Sequence, residues 1–144
     1  MTDDLKQRLR NVEDTLAIQQ LLIDYGHTLD GRDSAGFANL FAQDGEWIAP
    51  PDFHPQGREE IKAMIDRMFA KVPPSARAHY ITNMKIAVDG DRAEAHARFI
   101  LVEPTADGSP RIRLSGHYDD ELVREDGQWR FLRRRLTHDL KAAQ

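Results

Sequence analysis

The amino-acid sequence predicts a single α+β domain, with helices first and an antiparallel sheet after them. Apolar residues recur at helical spacing as far as about residue 72, and from residue 76 they alternate with polar residues, as in strands. The turn sequences DGD at 89–91 and EDG at 125–127 separate the later strands. No repeat, low-complexity tract or linker interrupts the chain, so residues 1–144 are expected to form one domain with a real core.

The first helix is predicted from about Asp4 to Leu29, with a C-cap candidate at Gly31. Its apolar residues lie on one helical stripe, which we expect to be buried: Leu16, Ile18, Leu21, Leu22, Tyr25 and Leu29. Asp30 follows in the last turn, where a carboxylate opposes the helix dipole. The position of Asp30 therefore suggests a role other than helix stability.

Two further helices and a short strand are predicted before residue 76. A second helix, SAGFANLFAQ, begins after a cap at Asp33 or Ser34. The short strand GEWIA and the proline-rich loop PPDFHPQG follow it. The third helix, REEIKAMIDRMFAKV, has one apolar side and is stopped by Pro73 and Pro74.

Four strands complete the predicted fold: ARAHYITNMKIAV, RAEAHARFILVEP, RIRLSGHYDDELVR and QWRFLRRRLTHDL. A sheet with helices on one face can curl around them and enclose a conical pocket. The alanines of RAEAHA share one strand face, where they leave room either for a ligand or for the first helix. Strict alternation places His79 on the face opposite Met84, so we expect a bulge or bend near Thr82.

The composition argues against several classes of function. With no cysteine the chain has no thiol nucleophile and no disulfide, which fits the reducing cytoplasm. A net charge of −4 argues against a nucleic-acid partner. The charged start MTDDLKQRLR is not a signal peptide and no apolar stretch is long enough for a membrane span, so we expect a cytoplasmic protein. In the absence of a metal-binding histidine pattern or a Gly-rich phosphate loop, we expect no metal and no cofactor.

Several segments, taken in order, resemble the SnoaL-like branch of the NTF2-like superfamily, whose fold is a cone-shaped α+β barrel. They are IQQLLIDYGHTLDGRD, FANLFAQDGEW, GREEI, AHYITN and GHYDDELVREDGQWRF, and the resemblance covers Val12 to about Leu136. The superfamily holds dehydratases, isomerases, cyclases, dioxygenase subunits and non-catalytic binders, so the fold alone does not settle the activity. The functional resemblance is to scytalone dehydratase, hexachlorocyclohexane dehydrochlorinase and bile-acid 7α-dehydratase, which remove a proton with an Asp-His pair while a leaving group departs.

The resemblance implies four catalytic residues. Asp30 and His79 match the aspartate and histidine of these enzymes, and Tyr25 lies where the bile-acid enzyme has a tyrosine. The last-strand arginine of the dehydrochlorinase corresponds to Arg134, with a register left open by its two neighbouring arginines. In these roles a neutral His79 takes the proton, Asp30 orients the imidazole and Tyr25 polarises the departing group. The alternative is that the Asp-His pair is a buried hydrogen bond that ties the helix to the sheet.

Four further residues are candidates for substrate binding: Trp47, Phe53, Tyr118 and Asp120. Trp47 and Tyr118 either line a pocket for a ring-shaped ligand or belong to an ordinary core. Phe53 lies in the proline-rich loop, which serves either as a lid or as a simple connector. Asp120 is expected either to meet an arginine of the last strand or to act as a second acid.

The leading interpretation is a cofactor-independent lyase that eliminates water or halide from a small cyclic, largely apolar substrate. An isomerase that moves a double bond uses the same proton abstraction and is hard to separate from it. The alternative is a non-catalytic NTF2-like module that binds a small ligand or serves in an assembly. A homo-oligomer is also expected, because alternating side chains lie on the outer face of the sheet: His96, Arg98, Ile100 and Val102.

Overall fold

The computed structural model describes residues 2–143, which form three helices and five strands. In chain order these are α1 (Asp3–Asp30), α2 (Ser34–Asn39), β1 (Phe41–Ile48), α3 (Arg58–Lys71), β2 (Ala78–Asp89), β3 (Arg92–Pro104), β4 (Pro110–Glu125) and β5 (Gln128–Lys141). α1 ends at the predicted C-cap, Gly31, and α2 begins after the predicted cap Asp33, whose carboxylate accepts from the Gly36 amide. None of the helices within residues 2–143 is long and apolar enough to cross a membrane.

The five strands form one sheet in the order β1-β5-β4-β3-β2. Strands β2 to β5 are the predicted antiparallel meander, whereas β1 runs parallel to β5 and makes the sheet mixed. β1 and β2 are the two edges, so the sheet curls around the helices without closing into a barrel. The predicted α+β class is confirmed, and the parallel edge strand is a feature that local periodicity does not indicate.

The core lies between the concave face of the sheet and the helices, and aromatic rings dominate it. Phe37 of α2 is fully buried, with ring centroids 5.0 Å from Tyr25, 5.5 Å from Phe41 and 5.5 Å from Trp47. Phe41 in turn lies 5.3 Å from Phe131 of β5. Such tilted and edge contacts add to the burial of each ring, and a Phe-to-Ala change in such a core costs about 3–5 kcal/mol. The short α2 is therefore held mainly by this cluster.

α1 buries its apolar stripe only from the middle of the helix onward. Ile18, Leu21 and Tyr25 are buried, whereas Leu16 is 59 % exposed, so its predicted burial is wrong. At 100° per residue, Leu16 lies roughly 160° around the helix from Ile18. Its side chain is therefore on the side of α1 that faces away from the sheet.

The second helix ends earlier than the sequence predicts. The predicted extension through Gln43 is wrong, because α2 ends at Asn39 and β1 begins at Phe41. Phe41 is in register with Phe131 of β5, and the Phe131 amide donates a hydrogen bond to the Leu40 carbonyl at 2.8 Å. Pairing with the sheet outweighs the helical spacing of these residues.

β2 contains the irregularity that the sequence predicts near Thr82. Its pairing with β3 shifts register between Thr82 and Lys85, and Asn83 adopts a left-handed φ of 53°. His79 and Met84, which strict alternation would separate, both lie on the concave side: His79 borders a cavity there and Met84 packs against the core. The bend therefore lets one strand contribute to both the core and the cavity wall.

Candidate active site

A cavity of about 300 Å³ opens between the concave face of the sheet, the end of α1 and α3. Much of its lining is apolar and comes from both helices and from β3, β4 and β5: Leu29, Met68, Phe69, Phe99, Leu101, Leu114 and Leu136. A few polar side chains interrupt this lining, which is the composition typical of a small-molecule site. Within residues 2–143, no three His, Asp or Glu side chains are grouped so that they could hold a metal ion.

Asp30 and His79 are joined by two hydrogen bonds at the wall of this cavity. His79 Nδ1 lies 2.7 Å from Asp30 Oδ1, and the His79 backbone amide donates to Oδ2 at 2.9 Å. The contact predicted between these residues is present. Because the partner is a carboxylate, we assign the proton of the neutral imidazole to Nδ1 and the lone pair to Nε2. Asp30 thus holds both the backbone and the ring of His79, and Nε2 is the ring nitrogen available to a ligand.

A close approach of α1 to β2 makes this contact possible. Gly26 faces His79, and a Cβ at this position would lie 3.3 Å from the His79 carbonyl oxygen and 3.4 Å from its Cβ. A larger side chain would press α1 away from β2. Gly26 was not among the predicted site residues. The one signal for it in the sequence is a glycine inside a helix, which costs about 1 kcal/mol relative to alanine and calls for a packing reason.

Tyr25 and Tyr118 line the cavity side by side, with ring centroids 5.1 Å apart and 1 % of each residue exposed. Burial raises the pKa of Tyr25 to about 12 and raises the pKa of Tyr118 well above its usual value, while the nearby positive charge of Arg134 opposes both shifts. Both hydroxyls therefore remain protonated at neutral pH. They are suited to donate hydrogen bonds and not to act as bases.

Arg134 and Asp120 lie behind these tyrosines and do not border the cavity. Both side chains are fully buried, and the guanidinium donates to Asp120 Oδ1 at 2.9 Å and to Oδ2 at 3.2 Å. Its central carbon also lies 4.1 Å from the Tyr25 ring centroid and 3.7 Å from that of Tyr118. Burial raises the pKa of Asp120 to about 6 against the effect of Arg134, so the carboxylate is ionised at neutral pH. The ion pair therefore packs against the two tyrosine rings on the side away from the cavity.

The three consecutive arginines of β5 do not all lie on the same face of the strand. Arg134 faces the interior, whereas Arg133 and Arg135 are exposed. Asp120 accordingly meets an arginine of the last strand, one of the two possibilities that the sequence left open.

Trp47 and Phe53 border the cavity near the loop that connects β1 and α3. Trp47 is 2 % exposed, and its ring packs against Phe37 with centroids 5.5 Å apart. Phe53 is 36 % exposed, and its backbone exchanges two hydrogen bonds of 2.9 Å with Ala49, which hold the loop at this position. Phe53 is thus a lining aromatic that solvent reaches.

Arg32 fixes α3 over the cavity. It follows the end of α1 with a φ of 56°, and its guanidinium donates to the carbonyls of Phe69 at 2.5 Å and Val72 at 2.7 Å. These carbonyls belong to the end of α3, where helix carbonyls lack intrahelical donors. The cation therefore satisfies the helix end and links it to the C-terminus of α1, beside Asp30.

His138 of β5 is a cavity residue that the sequence analysis missed. Its Nδ1 is buried without a hydrogen-bond partner among residues 2–143, and burial together with the charge of Lys141 lowers the pKa of the imidazole. His138 is therefore neutral at neutral pH. The available signal was strand parity, since Arg134, Leu136 and His138 alternate along one face of β5. That signal becomes useful only when Arg134 is known to face inward.

The chain is similar to several known proteins in sequence and in structure. The model of the SnoaL-like domain family matches residues 10–135. An uncharacterized protein of Mycobacterium tuberculosis is 31 % identical over 131 residues, which cover 85 % of this chain and 84 % of that protein. Gamma-hexachlorocyclohexane dehydrochlorinase of Sphingobium indicum is 25 % identical over 119 residues, which cover 82 % of this chain and 76 % of that enzyme. Among solved structures, an NTF2-like protein with a cystatin-like fold from Novosphingobium aromaticivorans has a TM-score of 0.87 at 25 % identity, with 99 % of this chain and 93 % of that chain covered.

Proposed function

Because the chain belongs to the SnoaL-like domain family, as its sequence predicts, we propose that it is a cofactor-independent lyase, or an isomerase of the same chemistry. Its substrate in this proposal is a small cyclic and largely apolar molecule. The observation that carries the proposal is the His79 imidazole, which Asp30 holds at 2.7 Å while the ring borders an apolar cavity. A carboxylate that orients an imidazole is the arrangement of a general base, and here the Asp30 side chain is 23 % exposed and that of His79 15 %.

In the proposed reaction, His79 Nε2 removes a proton from a carbon of the bound substrate. In an elimination, the electron pair of the broken C–H bond forms a carbon–carbon double bond, and the leaving group departs with the electrons of its own bond. In an isomerisation, the double bond moves and the imidazolium returns the proton to a different carbon. In both cases the Asp30 carboxylate stabilises the imidazolium while it exists.

The tyrosine hydroxyls are the proposed donors to a departing or reacting oxygen. Tyr25 and Tyr118 keep their protons at neutral pH, so this pair can donate to an oxygen on which negative charge develops. Arg134 is a positioning residue that acts through these rings. Its guanidinium lies against the rings of Tyr25 and Tyr118, and its positive charge lowers the pKa of both hydroxyls against the effect of burial. A leaving hydroxide or an enolate oxygen fits this donor set.

His138 is the proposed second donor of the site. Its buried Nδ1 has no partner among the described residues, and an unpaired lone pair is tolerated better in the interior than an unpaired N–H. We therefore assign its proton to Nε2. The two histidines would then have opposite roles in one cavity: His79 accepts a proton and His138 donates a hydrogen bond, as a neutral imidazole does in another proton-transfer site.

A non-catalytic ligand-binding module is the second candidate function, and one observation favours it. Asp30 Oδ2 accepts a hydrogen bond from the His79 backbone amide, so the pair fastens α1 to β2 whether or not the imidazole performs chemistry. Such a tie needs a carboxylate and an amide but no general base. Turnover and binding must therefore be measured separately.

The experiment begins with a thermal-shift screen of cyclic alcohols, cyclic halides and cyclic enones, because a ligand that binds the native state raises its melting temperature. Ligands found in this way are incubated with the protein and followed for conversion by mass spectrometry. We expect His79→Ala to abolish turnover and to change ligand affinity by less than about tenfold, or ~1.4 kcal/mol. Asp30→Asn should lose less turnover, because the imidazole remains but is poorly oriented.

His96 provides a matched control for this experiment. Its Nδ1 lies 2.8 Å from Asp119 on the outer face of the sheet, so His96→Ala removes a similar His-Asp pair that does not border the cavity. Turnover should be unchanged in this variant. If ligands of all three classes bind and none is converted, and if His79→Ala binds them as well as the wild type, the protein is a binding module and the catalytic proposal is wrong.

A further inference from the structure

The N-terminal part of α1 is a helical arm that is exposed on every side. Each of residues 3–13 is exposed, and the first buried residue of the helix is Asp14. The arm continues a packed helix, so it pays no nucleation cost, but each added residue contributes little free energy in water. Packing against another surface would therefore stabilise these three turns.

Five large apolar side chains lie along this arm and its continuation, and we call them the outer stripe. Their exposed fractions lie between 36 % and 59 %: Leu5, Leu9, Val12, Leu16 and Ile23. They are separated by four, three, four and seven residues, which is the alternation of positions a and d in a heptad repeat. Gln19 occupies the one polar position of the series.

The outer stripe lies on the side of α1 opposite to the fold. At 100° per residue it is centred roughly 160° from the buried stripe that contains Ile18 and Tyr25. A surface helix of a monomer normally carries polar residues on this side. α1 therefore has two apolar faces, and the fold of one chain covers only one of them.

The charges around the outer stripe favour a second copy of this chain over a lipid surface. Residues 3–13 contain three acidic and three basic residues, so the arm has no net attraction to anionic lipids. Lys6 and Glu13 flank the stripe on one side, and Arg8 flanks it on the other. When two copies pair along their stripes, each Glu13 lies near a basic residue of the other copy: Lys6 if the helices are antiparallel, Arg8 if they are parallel.

We propose that the outer stripe is a homodimer interface, in which it packs against the outer stripe of a second copy of this chain. This assigns the self-association to α1 and not to the outer face of the sheet, from which the sequence analysis expected it. That face carries two polar pairs, His96–Asp119 at 2.8 Å and His117–Asp139 at 2.9 Å. It also exposes three apolar side chains, Tyr80, Ile112 and Leu140, but they come from three different strands and have no heptad spacing. The heptad spacing and the complementary flanking charges are the observations that carry the proposal.

The first test measures the mass of the full chain in solution by light scattering and sedimentation equilibrium, at concentrations up to about 100 μM. The wild type should be a dimer, or a larger assembly built from such dimers. Leu9→Glu/Leu16→Glu should halve the mass and weaken association by at least about 100-fold, because two carboxylates would be buried in the seam. Circular dichroism should show an unchanged fold, since both positions are exposed. Ile112→Glu, at a position of β4 that is 58 % exposed, is the matched control and should leave the mass unchanged.

The second test uses the flanking charges. Glu13→Lys should weaken the dimer, and either Lys6→Glu/Glu13→Lys or Arg8→Glu/Glu13→Lys should restore it, the first for an antiparallel seam and the second for a parallel one. Restoration by one of the pairs supports the proposal and gives the direction of the helices. A wild-type monomer at about 100 μM, an unchanged mass in Leu9→Glu/Leu16→Glu, dissociation by Ile112→Glu or failure of both charge pairs to restore association would overturn it.

Discussion

Replacing Asp14 by alanine is expected to lower the free energy of unfolding by about 2–3 kcal/mol, although Asp14 does not border the cavity. The residue is 6 % exposed and lies where α1 first meets the fold. Its Oδ1 accepts from Trp129 Nε1 at 3.0 Å, and both carboxylate oxygens lie 2.9 Å from Nη2 of Arg124. The Arg124 guanidinium also stacks 4.7 Å above the Trp129 ring. One carboxylate thus links α1 to both strands of the last hairpin.

The magnitude follows from how well water can replace each lost bond. The Trp129 Nε1–H is buried, so leaving it without an acceptor costs about 1–2 kcal/mol. The Arg124 side chain is 26 % exposed, so water replaces its lost partner and the cost is about 1 kcal/mol. Asp14→Asn keeps one acceptor and should lose about 1–2 kcal/mol. Asp91 pairs with the same arginine at 2.9 Å but is 80 % exposed, so Asp91→Ala should lose less than about 0.5 kcal/mol.

The assay is urea unfolding, followed by far-UV circular dichroism with the m-value checked for each variant. A loss of about 2–3 kcal/mol also predicts a fall of roughly 6–12 °C in melting temperature for a domain of this size. The order Asp14→Ala, Asp14→Asn, Asp91→Ala, from most to least destabilised, is the expected result. Equal losses for Asp14→Ala and Asp91→Ala would refute the argument, because burial would then have no influence on the strength of this arginine's ion pairs.

Two further predictions concern the sheet. Gly116→Ala should lower the free energy of unfolding in urea by about 3 kcal/mol, because a Cβ would lie 2.0 Å from the Thr137 carbonyl oxygen and 2.7 Å from the Phe99 ring. A loss of unfolding free energy below about 1 kcal/mol would contradict the strand register. Because the pKa of His138 is lowered, its stabilising contribution is present above the unfolded-state pKa of about 6.5 and is lost as pH falls through the folded-state pKa. Between about pH 7.5 and 5, the wild type should therefore lose more unfolding free energy than His138→Gln, and equal slopes would contradict this account.

The contact between Asp30 and His79 was implied by the family resemblance, and a local signal at each residue agrees with it. Asp30 ends a helix at a position where it opposes the helix dipole, and His79 begins a long strand. The bulge in β2 was predictable, since His79 and Met84 conflict under strict alternation. The inference about the bulge depends only on residues within a few positions of each other and on the period of one strand.

The inward arginine of β5 was not predictable from alternation. Trp129 and Phe131 face the core, and a regular strand would continue with Arg133 on the same side. In the pairing of β5 with β4, however, Phe131 lies opposite Leu122 and Arg133 lies opposite Glu121. Leu132 is therefore an extra residue, a β-bulge, after which the side chains of β5 alternate in the opposite sense. Arg134 therefore faces inward, and so does His138, four residues later.

Periodicity, turn residues and caps in the sequence determined the α+β order and the ends of most elements, because these depend on local backbone geometry. The pairing of Asp30 with His79 was instead implied by the family resemblance. Only the tertiary structure decided that β1 joins the sheet in parallel, that Tyr118 borders a cavity while Asp120 lies behind it, and that His138 is part of the site. These outcomes depend on where strands distant in sequence fall into register. A shift of one residue there moves every following side chain to the other face of the sheet.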